Sequence, residues 1–197
     1  MKRIFIVIAL LVLAGKGFAA GPGDTVQNFT LTDQNNVSHE LYKYADKKAV
    51  VLFVQGNGCP IVRNALHTYI DLREQYQGKN IAFLMINSNL QDNQQRIAKE
   101  AAEFKIDFPI MVDENQSVGE ALKFERTADV FVINPQGWRI EYRGALDDRL
   151  GYETQKIEAS HNYVADALDA VLAGKPVKIN AVEAKGCLVN IPALTGG

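Results

Sequence analysis

Any redox chemistry in this chain must run through two sulfurs. Its 197 residues include two cysteines, Cys59 and Cys187, 128 positions apart. Cys59 stands in the stretch Ala49 to Tyr69, AVVLFVQGNGCPIVRNALHTY. Val50 to Val54 is a short apolar, β-branched run that predicts a buried strand. Gln55-Gly56-Asn57-Gly58 breaks that run with two glycines, which permit the positive-φ backbone of a tight strand-to-helix turn. Pro60 then sits where a first helical residue needs no N–H donor, and Ile61, Ala65, Leu66 and Ile70 continue at helical spacing. The expectation is one solvent-accessible thiol at a helix N-terminus. There, unpaired amides and the positive end of the helix dipole favour thiolate. A buried structural cysteine is the competing reading.

Arg63 lies one helical turn beyond Cys59 and either stabilises a thiolate or an oxidised sulfur, or is simply solvated. His67 shares that face roughly, but no carboxylate motif accompanies it, so it reads as a half-exposed packing residue. His39 reads as a solvated surface residue, and His161 carries no further signal. Cys187 lies thirteen residues after Gly174. An extended segment of that length reaches ~45 Å, against a radius of gyration of about 16 Å for a domain of this size. The tail can therefore bring Cys187 to Cys59 of its own chain or of a neighbouring subunit. Three roles stay open for it. Cys187 resolves a sulfenic acid or mixed disulfide formed on Cys59; it forms a permanent staple worth about 4–5 kcal/mol; or it is unpaired.

The elements that must hold these groups follow from composition and pattern. With 47% hydrophobic and 22% charged residues, the composition is that of a globular protein, and the length allows one domain. A net charge of −2 without a basic block argues against a nucleic-acid partner. Met1-Lys2-Arg3, the apolar Ile4 to Ala14 and the small-residue exit Gly17-Phe18-Ala19-Ala20 have the layout of a cleaved secretory signal over residues 1–20. Cleavage after Ala19 or after Ala20 is not decided by this layout. The apolar core is shorter than the ~20 residues a membrane span requires. Removing the signal leaves 18 basic against 23 acidic residues, a charge of −5. The expected location is the periplasm or the exterior, where two thiols are a candidate disulfide.

Residues 21–174 read as a single domain and 175–197 as an extended tail carrying Cys187. A small strand pair is expected around Asp33-Gln34-Asn35-Asn36, and a helical turn over Tyr42 to Lys48. Ile81 to Asn87 is a second buried strand, followed by a helix with Asp92 as its expected N-cap. Phe108 to Val112 is a brief strand with Pro109 at its entrance, and a short helix runs through Val118, Ala121 and Leu122. Val130 to Ile133 and Trp138 to Arg143 form a hairpin across Asn134-Pro135-Gln136-Gly137, and a closing helix spans Ile157 to Leu172. This order predicts an α/β fold with a mixed sheet covered on both faces, and sites at the carboxyl ends of the parallel strands.

Phe53 to Val62 (FVQGNGCPIV), Ile86 to Asn89, Phe108 to Glu114 (FPIMVDE) and Thr127 to Pro135 (TADVFVINP) occur in the order seen in one superfamily. So do Tyr142-Arg143-Gly144, Leu146-Asp147-Asp148, Ala167 to Val177 and Gly186-Cys187. On these residues the chain resembles the thioredoxin-fold redoxins, and within them the exported, peroxiredoxin-like branch of the alkyl hydroperoxide reductase/thiol-specific antioxidant family. The resemblance implies a thioredoxin-like fold and a thiol-based oxidoreductase. It also makes Arg126, on the segment expected beside the thiol, a candidate for polarising a peroxide, with surface ion pairing the alternative.

Several family features are missing. Val62 stands where a second cysteine would complete the two-cysteine motif, and Leu52 and Gly56 occupy the proline and threonine positions of the peroxidase signature. Phe53 replaces the buried carboxylate of thioredoxins, and Ala128 their cis-proline. The expected activity is thiol–disulfide exchange with a protein partner, Cys59 as nucleophile and Cys187 resolving. The alternatives are a thiol peroxidase acting on small hydroperoxides and a copper-binding module. Copper(I) prefers paired soft ligands, and the position four on from Cys59 is the cation Arg63. No metal, nucleotide or haem motif stands out, so no cofactor is expected.

Overall fold

The computed structural model describes residues 20–150 and 156–195; the signal segment, apart from Ala20, lies outside the described residues. The strands are β1 (Thr30–Asp33), β2 (Ser38–Glu40), β3 (Ala49–Val54), β4 (Ile81–Asn87), β5 (Ile110–Val112), β6 (Val130–Asn134), β7 (Arg139–Gly144) and β8 (Ala181–Val182). The helices are α1 (Pro60–Gln75), α2 (Gln94–Glu103), α3 (Ser117–Ala121), α4 (Tyr163–Leu172) and the single turn α5 (Pro192–Thr195). One sheet runs in the order β2-β1-β5-β4-β3-β6-β7-β8. Its centre is parallel, β3 beside β4 and β4 beside β5, whereas β6 runs antiparallel to β3 and forms a hairpin with β7.

All six residues of β3 are buried, which is why its sequence is continuously apolar rather than alternating. Val51 and Phe53 face a core shared with Val62, Leu66 and Tyr69 of α1 and with Val164 and Leu168 of α4. Val50, Leu52 and Val54 face a second core with Val118, Phe131 and Ile140. Tyr69 locks α1 to the sheet: its ring packs edge-on against Phe83 and Phe108, and its hydroxyl donates to the Leu84 carbonyl at 2.9 Å. The mixed, doubly covered α/β sheet expected from the pattern is the one observed.

Three local expectations are corrected. The helix expected from Ile157 begins at Tyr163 as α4, because Asp148 draws the chain into a loop by accepting the amides of Ser160 (2.8 Å) and His161 (3.1 Å). Asn93, not Asp92, caps α2, accepting from the Arg96 amide. His39 is partly buried between Asp33 and Tyr44, at 2.9 Å from each, rather than solvated. The described part of the tail runs extended, as expected, and is laid against the domain as a strap. It adds β8 beside β7, makes an antiparallel bridge from Leu188 to Arg126, and buries Val189 and Ile191 in the second core.

Candidate active site

At the carboxyl end of β3 the chain must turn sharply into α1, and each turn residue has a different task. Gly58 takes a φ of +73°, which L side chains rarely adopt. Gly56 is needed for space: a methyl there would lie 2.6 Å from the Thr127 methyl and 2.9 Å from the Asn89 amide nitrogen. Two carboxylates from the β4–α2 segment secure the turn. Asp92 accepts from the Asn57 amide at 3.0 Å, and Glu100 from the Gly58 amide at 2.9 and 3.1 Å. Cys59 follows in extended geometry at the N-cap position, with Pro60 opening the helix.

The Cys59 side chain is buried, the residue being 4% exposed, so the expectation of a solvent-accessible thiol is corrected. Its burial is nonetheless polar on one side. The sulfur lies 3.2 Å from the Thr127 hydroxyl oxygen. That oxygen accepts from the Cys187 amide at 2.9 Å, and toward a Cys59 thiolate, which can only accept, the Thr127 hydroxyl donates. The Cys187 thiol and the amides of Val62 and Cys187 also donate toward Cys59. Burial pushes the Cys59 thiol up, but these donors together outweigh it and hold its pKa below the ordinary thiol value of 9.0. Cys187 moves the other way, pushed up to about 11 by burial, by its hydrogen bond to Cys59 and by repulsion from the Cys59 charge. Of the two, Cys187 is the exposed residue.

Backbone pairing delivers Cys187 to this place. Thr127 donates its amide to the Cys187 carbonyl at 2.8 Å, and the Val189 amide donates to Glu125 at 2.9 Å. Gly186 is obligatory there, since a Cβ would lie 1.8 Å from the Thr127 carbonyl oxygen. Thr127-Ala128-Asp129 lies between strap and sheet, with Ala128 in left-handed geometry at φ 58°. Asp129 is buried in an ion pair with Arg143 (2.8 Å), whose remaining nitrogens donate to the carbonyls of Ala20, Leu122 and Lys123.

Of the residues singled out in the sequence, the fold brings Cys59 and Cys187 together. Arg63 turns to Glu100 at 3.3 Å and lies over the Phe104 ring. Arg126 donates to the Gly186 carbonyl at 3.2 Å, so it clamps the strap. His67 is exposed on α1. Sequence reasoning missed Thr127 as a partner of the sulfur, and Asp92 and Glu100 as acceptors for the turn. Glu100 did carry a signal, as a carboxylate between Ile97 and Ala101 on the buried side of α2. Among the described residues no group of three or more His, Cys, Asp or Glu side chains could hold a metal ion.

This arrangement, a depressed-pKa thiol under a second thiol, suits redox exchange at sulfur. Comparison with known proteins agrees. Thiol-disulfide oxidoreductase ResA of Geobacillus thermodenitrificans is 27% identical over 142 residues, 66% of this chain and 80% of ResA. An uncharacterized conserved protein from Geobacillus kaustophilus has a crystal structure that matches with a TM-score of 0.78 at 28% identity, covering 87% of this chain and 93% of the other. Peroxidoxin BcpB from Mycobacterium tuberculosis shares the fold, at a TM-score of 0.57 and 21% identity over 78% of this chain and 97% of its own. The Redoxin family profile matches residues 21–160, so this chain belongs to the Redoxin family and is a thiol-based oxidoreductase with a thioredoxin-like fold.

Proposed function

We propose that this protein is an exported thiol–disulfide oxidoreductase whose redox centre is the Cys59–Cys187 pair, acting on the thiols or disulfides of partner proteins. The observation that carries this is the meeting of the two sulfurs on Thr127: one thiol has its anion favoured, the other donates to it. Cys59 is the thiolate of the pair and Cys187 its disulfide partner. Peroxidase chemistry needs a cation to polarise the peroxide. Arg63 is drawn to Glu100 and Arg126 to the Gly186 carbonyl, which favours exchange over peroxide reduction.

The test is two-sided. Treatment with glutathione disulfide should yield a Cys59–Cys187 linkage by non-reducing mass spectrometry, and the oxidised protein should convert reduced two-cysteine peptides to disulfides. Cys59→Ser should abolish this. Failure to form the linkage sinks the proposal, and a reduced wild type that consumes hydroperoxide much faster than free cysteine, with Cys59→Ser inert, replaces it with the peroxidase.

Export also bears on the N-terminus. Ala20 is buried and its carbonyl accepts from Arg143 at 2.7 Å. A mature chain that starts at Ala20 keeps this bond, whereas cleavage one residue later removes it. Intact-mass measurement of the exported protein should therefore give a start at Ala20.

A further inference from the structure

Redox exchange at a pair of sulfurs poses the question of which one meets the partner, and here the two differ in access. Cys59 is 4% exposed and lies in the main core beneath the strap. Cys187, on the strap itself, is an exposed residue. The strap is held on both sides of that cysteine. Gly186 lies directly against the Thr127 carbonyl, and Thr127 and Glu125 accept or donate backbone hydrogen bonds to Cys187 and Val189. Val189 and Ile191 are buried, and the Asn190 carbonyl accepts from Gln116 at 2.7 Å. A partner thiolate thus has an approach to Cys187 with the strap in place, while an approach to Cys59 requires the strap to leave its core.

Resting on the reading that the pair is redox-active, we infer that Cys187 is the sulfur that exchanges with the partner and Cys59 the buried sulfur that leaves. In the oxidised protein a partner thiolate attacks the Cys187 sulfur, the Cys187–Cys59 bond breaks, and Cys59 departs as a thiolate. The second thiol of the partner, deprotonated, then attacks its own sulfur in the mixed disulfide. Cys187 is released and takes up a proton. The protein has gained two electrons and the partner dithiol has become a disulfide. A more oxidising disulfide restores the Cys59–Cys187 bond by the same steps in reverse.

The electronic arrangement supports this order. The departing sulfur is the one whose anion is stabilised by Thr127 and by the amides of Val62 and Cys187, and a lower-pKa thiol leaves faster. The substrate class these steps consume is a dithiol, whose two thiols leave as one disulfide.

Oxidised wild-type protein is mixed with reduced glutathione, quenched early with acid, alkylated with iodoacetamide and mapped by peptide mass spectrometry. The expected product carries glutathione on Cys187 and the alkyl group on Cys59, in excess over the reverse on the order of ten to one or more. Glutathione mainly on Cys59, with the Cys59–Cys187 linkage verified beforehand, overturns this assignment and leaves the redox pair standing. A protein in which no such linkage forms overturns both.

Discussion

Thr127 was not singled out in the sequence, yet its one hydroxyl serves both cysteines: it accepts from the Cys187 amide and donates to the Cys59 thiolate. A hydrogen bond to a charged group is worth about 1.5–3 kcal/mol, so Thr127→Val should cut the thiolate fraction at a fixed pH by about tenfold or more. Absorbance at 240 nm against pH reads this directly, and the Cys59 midpoint should move up in Thr127→Val and stay in Thr127→Ser. The same pair shapes stability in the reduced protein. Cys59, held low, contributes stability that is present above the ordinary thiol value and fades as pH falls through its lowered one. Cys187, raised to about 11, contributes stability that is present below 9.0 and lost as pH climbs through 11. Between those two values the Cys187 effect stands alone, so denaturant unfolding of reduced protein should weaken more steeply with pH in wild type than in Cys187→Ser.

At the level of elements, the strap is the part the sequence disclosed least. β3, β4 and β6 were legible as continuous apolar runs bounded by turn residues, and β7 as an alternating partner returning across the turn at Asn134–Gly137. The turn at Gly56–Gly58 was legible too, although the pattern did not separate a glycine needed for φ from one needed for space. The strap has β-bridges at only a few positions and no periodicity, since its order comes from partners 37 or more residues away in sequence. Gly186-Cys187 was visible as a motif, but its seat on Thr127 was not. The burial of Cys59 was hidden for the same reason, because the covering atoms belong to a distant segment. Gly186→Ala isolates that contact. Its Cβ would meet backbone rather than a flexible side chain, so the strap must lift, at a cost of about 1–3 kcal/mol. Iodoacetamide should then label reduced Cys59 faster than in wild type, and glutathione disulfide should yield less Cys59–Cys187 linkage.

For the whole molecule, Arg143 is the point where separate parts of the chain are tied together. From β7 it reaches the carboxylate of Asp129, the Phe131 ring and the carbonyls of Ala20, Leu122 and Lys123. Burial raises the Asp129 pKa against the pull of Arg143, so the pair holds a carboxylate in an otherwise unfavourable place. Arg143→Met leaves that group unpaired, with a loss of about 3–5 kcal/mol. For a chain of this length that is a fall in melting temperature of about 10 °C, readable by calorimetry. Asp129 follows Thr127-Ala128 directly, so the variant should also blunt disulfide formation at the sulfurs.

The seat of Cys187 beside Thr127 also sets a timetable for biogenesis. A ribosome builds the chain from its N-terminus, and Cys187 is joined 128 residues after Cys59. Every newborn molecule therefore passes through a period in which Cys59 already exists and its mate does not. The meeting of the two thiols is thereby postponed until the strap has been made.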